Sequence, residues 1–307
     1  MAEIELRGLS GTNPLGFMAA LGSHLAVERD SPAGTLRWTE GVVSYPVLDS
    51  VDSVDEVAHS ALKLIQEWLV GPAFGSGVEP KLKLDPDEIT HYLSRSRSAG
   101  DAGRIAMCLV AENSLDNGGR AKPTDFYFTA GQMKFVVMAR EILGAVTLEE
   151  LVADLSEPWK YRSEGPSLMW DVVDDRLYAL SSTNPSSVKK STNPGAEALA
   201  ILGLSRFPCF RSTNGTATQG CSGGWKRGHF TWPLWNRPAR SAAVASLLAH
   251  ASNPAPTEPW MENQFLERCR QYSGWGVVRV IQSQIRRSDQ GGYGTFGPPR
   301  VIWRRDE

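Results

Sequence analysis

One phrase occurs three times in this chain, and in two places it dictates what must follow. Thr12-Asn13-Pro14 opens LGFMAALGSHLA, and Thr192-Asn193-Pro194 opens GAEALAILGL. Asn ahead of Pro suits a helix start: the Asn side chain can accept from the first unpaired N–H groups, and Pro at the first helical position gives up no bond. Leu15, Phe17, Met18, Ala19, Leu21 and Leu25 then recur at helical spacing, as do Ala196, Ala198, Leu199, Ile201, Leu202 and Leu204. Two buried helices are predicted, each carrying a small-residue AALG or AILG step. The third copy, ending at Pro185, leads into Ser-Ser-Val-Lys-Lys and no apolar face. Either the chain holds two related halves or two helices independently use the same cap.

With 307 residues, 41% hydrophobic and 21% charged, the chain can bury one large core or two ordinary ones. No run approaches the roughly 18 apolar residues of a membrane helix. The opening MAEIELRGLSG places acids where a signal peptide has bases. Cys108, Cys209, Cys221 and Cys269 are scattered with no Cys-x-x-Cys pair. That usage points to a reducing cytoplasm and away from structural zinc. The net charge of −2 hides an asymmetry. Residues 1–150 hold 13 Lys+Arg against 21 Asp+Glu, whereas 176–305 hold 17 against 5. Such a basic segment suits a polyanion, an acidic partner, or the chain's own acidic half.

Periodicity predicts an α+β fold of mixed helices and antiparallel strands, with strands gathering after residue 160. The expected division is an acidic, helix-rich half over 1–157 and a basic, strand-richer half over 158–307, separate or fused into one continuous domain. Helices are predicted from Pro14, over Val54–Leu69, from Asp85-Pro86, from Thr129, from Thr147, from Pro194, over Ser241–His250 and over Trp260–Tyr272. Thr35–Trp38 and Val42–Val47 read as a hairpin, and Gly276–Arg287 as an alternating strand. STNGTATQGCSGGWKRGHF, 212–230, reads as a loop or a long hairpin tip, and Pro233 sets FTWPLW at an edge or bulge.

No catalytic constellation emerges. The five histidines are isolated, and there is no HExxH, no P-loop and no nucleophile elbow. Asp171, Asp174 and Asp175 could suggest a two-metal nuclease site, although three acids in a hydrophilic turn are commonly solvated. GGYGTFG, 291–297, spells G-x-G-x-x-G without the strand–helix setting a dinucleotide site needs; it reads instead as a loop. No cofactor and no metal ligand set is assigned.

What remains is aromatic residues placed among bases. SGGWKRGHFTWPLWNRPAR sets Trp225, Trp232 and Trp235 among Lys226, Arg227, Arg237 and Arg240. Basic side chains neutralise phosphates, and exposed aromatics stack on unpaired nucleobases. Trp232 and Trp235 read as packing. The candidate nucleic-acid-binding residues are Lys189, Lys190, Arg211, Trp225, Lys226, Arg227, Arg237, Arg286 and Arg287.

Taken in order, NPLGFMAALG, PTDFYFTAGQ, PSLMWDVVDDRLYAL, NPGAEALAILGL and FTWPLW resemble subunits encoded in type I-G (formerly I-U) CRISPR–Cas loci, in particular helicase-nuclease-extension and large-subunit-like proteins. The match runs from about residue 6 to residue 300. The resemblance implies a cytoplasmic, non-catalytic subunit of an antiviral effector complex. Its partners would be other CRISPR effector subunits, guide RNA and target DNA, with no membrane. Guide pairing would supply sequence specificity, and basic surfaces would hold the strands. The other readings are an adaptor that tethers the helicase-nuclease without touching nucleic acid, and a metal-dependent nuclease.

Overall fold

The computed structural model describes residues 3–75, 77–79, 81–129, 133–161, 163–172, 191–212, 215–224, 227–251, 262–287 and 293–305. Asp174, Asp175, Lys189, Lys190, Trp225, Lys226 and the third Thr-Asn-Pro lie outside them. Strand β1 (Glu3–Glu5) leads into helix α1 (Pro14–Asp30), followed by β2 (Leu36–Trp38), β3 (Pro46–Asp49) and α2 (Val54–Val70). Then come α3 (Pro86–Arg97), α4 (Gly100–Arg104), α5 (Ala106–Leu109), α6 (Phe135–Ala145) and α7 (Leu148–Ser156). The second half holds β4 (Ser163–Glu164), β5 (Ser191–Thr192), α8 (Pro194–Gly203), β6 (Cys209–Ser212), β7 (Gly215–Thr218), β8 (Cys221–Ser222) and β9 (Gly228–Trp235). Helices α9 (Ser241–Ala251) and α10 (Glu262–Gly274) precede β10 (Val277–Arg287), β11 (Gly294–Phe296) and β12 (Arg300–Arg304). The fold is α+β, and none of the described helices is long and apolar enough to cross a membrane.

The repeated phrase builds the centre of the molecule. Asn13 Oδ1 accepts from the Leu15 N–H at 2.9 Å and Pro14 occupies the first turn. Rather than showing one apolar face, α1 is buried all round from Pro14 to Val27, and α8 is buried from Gly195 to Gly203. That is the pattern of a helix with neighbours on every side. The two helices cross at Gly22 and Gly203. A Cβ on Gly22 would lie 1.9 Å from the Leu199 carbonyl oxygen, and one on Gly203 would lie 1.9 Å from that of Met18. Each glycine therefore faces the carbonyl four residues before the other, a reciprocal contact that brings backbone against backbone. The elements that follow differ: β2 and β3 pair antiparallel with each other and β3 with β1, whereas α8 leads into the β6–β7 hairpin.

Two of the predicted helix starts are closed by capping boxes. Glu88 Oε2 accepts from the Asp85 N–H at 2.9 Å, and Thr147 and Glu150 bond reciprocally. The helix expected from Thr129 begins instead at Phe135, with Lys134 in the cap position. Phe126 and Phe128 before it belong to the core: the Phe126 ring meets Trp170, Phe207, Phe230 and Phe296 edge-on. Their packing outweighs the local start signal.

The larger sheet runs β11–β10–β9–β8, with β12 also paired to β10, all antiparallel. The described part of 212–230 thus forms hairpin strands rather than a loop. Strand β8 covers β9 only at His229 and Phe230, so Pro233 sits where β10 alone pairs with β9, and its missing N–H leaves no gap in a ladder. Trp232 and Trp235 are fully buried, as their sequence context implied; their indole N–H groups donate to the Gly11 and Leu36 carbonyls. Phe17 of α1 packs on Trp232 with ring centroids 5.8 Å apart. One hydrophobic core runs from Leu6 to Phe296, without a break between the two halves.

Two buried titrating groups oppose each other. Burial, then the nearby Arg206 charge, push His24 down to about 4. Its unfolded value is near 6.5, so stability is present above that pH and is lost as pH falls toward 4, by about 3 kcal/mol. Burial pushes Asp154 up to about 6 while it accepts from the Ala196 N–H at 3.1 Å at the start of α8. A raised carboxyl takes up its proton more readily folded, so this group favours the fold more as pH falls from about 6 toward 4. Asp154→Asn keeps the acceptor and removes the desolvated charge. It is expected to raise the melting temperature at pH 7 and to steepen the loss of stability between about pH 6 and 4. Parallel pH–melting profiles for the two proteins would contradict this assignment.

Candidate nucleic-acid interface

Apart from Arg211, the described candidate residues divide between two ends of β9. At one end the β8–β9 turn returns through Gly223 and Gly224, both with positive φ, and a Cβ on Gly223 would lie 2.1 Å from the Arg227 carbonyl oxygen. Only glycine fits such a turn. Gly228 pairs with Ile285, so Arg227 and Arg286 flank that pair on adjacent strands. Trp225 and Lys226, which follow Gly224 in sequence, lie outside the described residues. The half-buried Arg286 lays its guanidinium across Gly297, where a Cβ would come within 2.8 Å of Nε. Arg227, by contrast, is exposed.

Arg287, the next residue along β10, has a different place. Nη1 donates to the Tyr127 carbonyl at 2.8 Å and Nη2 to that of Asp125 at 2.7 Å, with the guanidinium carbon 5.3 Å from the Phe128 ring centre. Burial lowers it to about 10 against the pull of the Asp125 charge. Its cation ties β10 to the 125–128 turn, which corrects its placement among surface phosphate ligands. Gly294 completes that packing: a Cβ there would be 2.4 Å from the Phe128 ring. The described glycines of GGYGTFG thus serve close packing, and Gly294–Phe296 is a strand rather than a loop.

At the far end of β9, roughly 25 Å away at about 3.3 Å per residue, Arg237 donates to the Gly274 carbonyl at 3.1 Å. Its stem lies over Gly276, where a Cβ would be 2.7 Å from Arg237 Cγ. Beside it Trp275 is 46% exposed, with the His250 ring 5.0 Å and the Tyr272 ring 5.7 Å away. Arg237, Pro238, Ala239, Leu247, His250 and Trp275 line an open cleft of about 430 Å³. Sequence reasoning missed Trp275 and His250. The available signal was a tryptophan between two glycines, in Ser-Gly-Trp-Gly at 273–276, where a turn leaves a large ring little to pack on.

Arg211 is exposed on the separate β6–β7 hairpin, opposite Thr216. Part of the remaining positive charge is engaged within the chain. Buried Arg206 meets Glu28 at 3.3 Å, Arg279 donates to Ser44 Oγ and the Gly41 carbonyl, and Arg305 meets Glu40 at 3.2 Å. Among the described residues, no carboxylate pairs with Arg211, Arg227, Arg237 or Arg240. In the acidic half, Glu79, Asp87, Glu88, His91, Tyr92 and Arg95 line a second cleft of about 620 Å³.

Asp171 is buried; its carboxylate accepts from Asn13 Nδ2 and from the Tyr161 hydroxyl, each at 3.0 Å. It is a brace on the α1 cap. Cys209 and Cys221 lie near Asp125, with Cys108 beside Cys209, all as free thiols; burial pushes Cys209 up to about 12, and the other two rise for the same reason. Such thiols are unreactive. No group of three or more His, Cys, Asp and Glu side chains able to hold a metal occurs among the described residues. No protein-family model and no curated protein matches this chain.

Proposed function

We propose that the chain is a non-catalytic, nucleic-acid-binding subunit of a type I CRISPR–Cas effector complex in the cytoplasm, as the sequence resemblance implies. It contacts phosphates through the β8–β9 turn and Arg286, and its acidic half lies against other subunits. The observation that carries this reading is the exposed Arg227, whose charge no described carboxylate offsets, set beside Arg286 on a glycine-shaped turn. A backbone without side chains at the exposed Gly223 and Gly224 lets a phosphate chain approach closely. The overall pI near 6.3 fits contact made inside an assembly better than binding as an isolated basic protein.

The variant Arg227→Glu/Arg286→Glu is expected to weaken binding of labelled DNA or RNA. The plot of log affinity against log salt should become shallower by about 2, one unit for each phosphate that the variant no longer neutralises. An unchanged salt slope removes the turn as the binding surface. The engagement of Arg206, Arg279 and Arg287 within the chain favours the adaptor as the second reading. Retention of partner subunits in a pull-down, with no nucleic acid bound by the wild-type chain, would put that reading first.

A further inference from the structure

We infer that the Trp275 cleft receives an unpaired base, so that the ligand is single-stranded nucleic acid rather than duplex; this rests on the function proposed above. The cleft is separate from the phosphate-contacting turn, and its chemistry is different. The Trp275 N–H donates to the Tyr272 carbonyl at 2.9 Å and the Gly276 N–H to that of Ser273 at 3.0 Å, which holds the turn with its indole outward. Gly276 takes φ +89 and leaves room for the Arg237 stem directly above it. Arg237 is thereby fixed by its bond to Gly274 beside the open aromatic ring.

The cleft therefore offers three things at once. Trp275 presents a π-surface, Arg237 a cation for a phosphate, and Pro238, Ala239 and Leu247 an apolar wall. At about 430 Å³ it lies in the range of small-ligand sites. A planar ring carrying an adjacent anion matches that set. A base inside a duplex cannot, because both its faces are already stacked; a base in a single strand can leave its neighbours and lie on the indole. Stacking on the indole is itself tolerant of sequence, since every base has a π-face.

The test compares wild type, Trp275→Ala and Trp275→Phe by fluorescence anisotropy. The probes are a labelled single strand of roughly 12 nucleotides, its duplex, and free adenosine monophosphate. Trp275→Ala is expected to weaken single-strand binding about 10-fold, with duplex affinity, salt slope and melting temperature unchanged. Trp275→Phe should stay within about 3-fold of wild type because it keeps an aromatic face. Equal single-strand affinity in Trp275→Ala overturns the inference. If the turn variant Arg227→Glu/Arg286→Glu still loses salt dependence in that case, the proposed function survives without this cleft. Loss confined to free adenosine monophosphate overturns it too, since the cleft would then be a mononucleotide site. A wild-type chain that binds no nucleic acid removes both proposals together.

Discussion

Replacing Gly22 with alanine is expected to leave little stably folded protein. The added methyl would stand 1.9 Å from the Leu199 carbonyl oxygen and 3.0 Å from the Gly203 nitrogen. Ordinary contact needs about 3.4 Å, so α1 and α8 must separate, and both are buried on all sides. Overpacking against movable side chains costs about 1–3 kcal/mol. Here the obstacle is backbone on both helices, and a loss of about 4 kcal/mol or more is expected, a large share of a total near 5–15 kcal/mol. Gly203→Ala should behave alike. The double variant should lose less than the sum, because one separation of the helices relieves both clashes. Gly144→Ala in α6 is the control: its methyl meets nothing nearer than Leu69 at 3.8 Å, so helix propensity should leave stability equal or higher by up to about 1 kcal/mol. Urea midpoints decide the matter. A Gly22→Ala midpoint equal to wild type would mean that the helices do not cross at this point.

The second large effect separates two neighbouring arginines. Arg287→Met is expected to destabilise the protein by about 3 kcal/mol, because two charge-assisted bonds to the Asp125 and Tyr127 carbonyls disappear from the core. Asp125, half-buried and pushed up by desolvation, would also lose its neighbouring cation. Arg286→Met, one position away on the opposite face of β10, should cost less stability than Arg287→Met, because its guanidinium lies over Gly297 and does not bond the 125–128 turn, while still weakening nucleic-acid binding. Equilibrium unfolding of the two variants beside a binding titration tests both halves of the statement. Equal stabilities for the two would erase the distinction between anchor and phosphate ligand.

Arg286 and Arg287 show where sequence reasoning stops. Side by side they are chemically identical, and alternation along a strand says only that they face opposite ways. Which face is occupied depends on the 125–128 turn, roughly 160 residues earlier. Arg237 poses the same problem in reverse: it follows Arg227 closely in the chain, yet an extended strand carries it to the other end of the sheet. Trp275 escaped notice because burial of an aromatic is the ordinary outcome, and its exposure follows from a turn held by the Tyr272 and Ser273 carbonyls. The false start for α6 at Thr129 came from reading local cap chemistry without the aromatic cluster that claims Phe126 and Phe128.

From residue order alone came the positions of the central helices, the Asn13 cap of α1, the presence of a strand at 277–287, the packed Trp232 and Trp235, and the placement of positive charge after residue 175. These are local properties: capping, periodicity and composition act between residues a few positions apart. Asn193 makes no such side-chain cap bond, and β10 is buried on both faces over most of its length. The close crossing of α1 and α8, the division of the basic side chains into anchors and surface groups, and the pairing of Arg237 with an open indole were decided by tertiary contact. They depend on which backbones approach within van der Waals distance, and no short-range pattern encodes that separation.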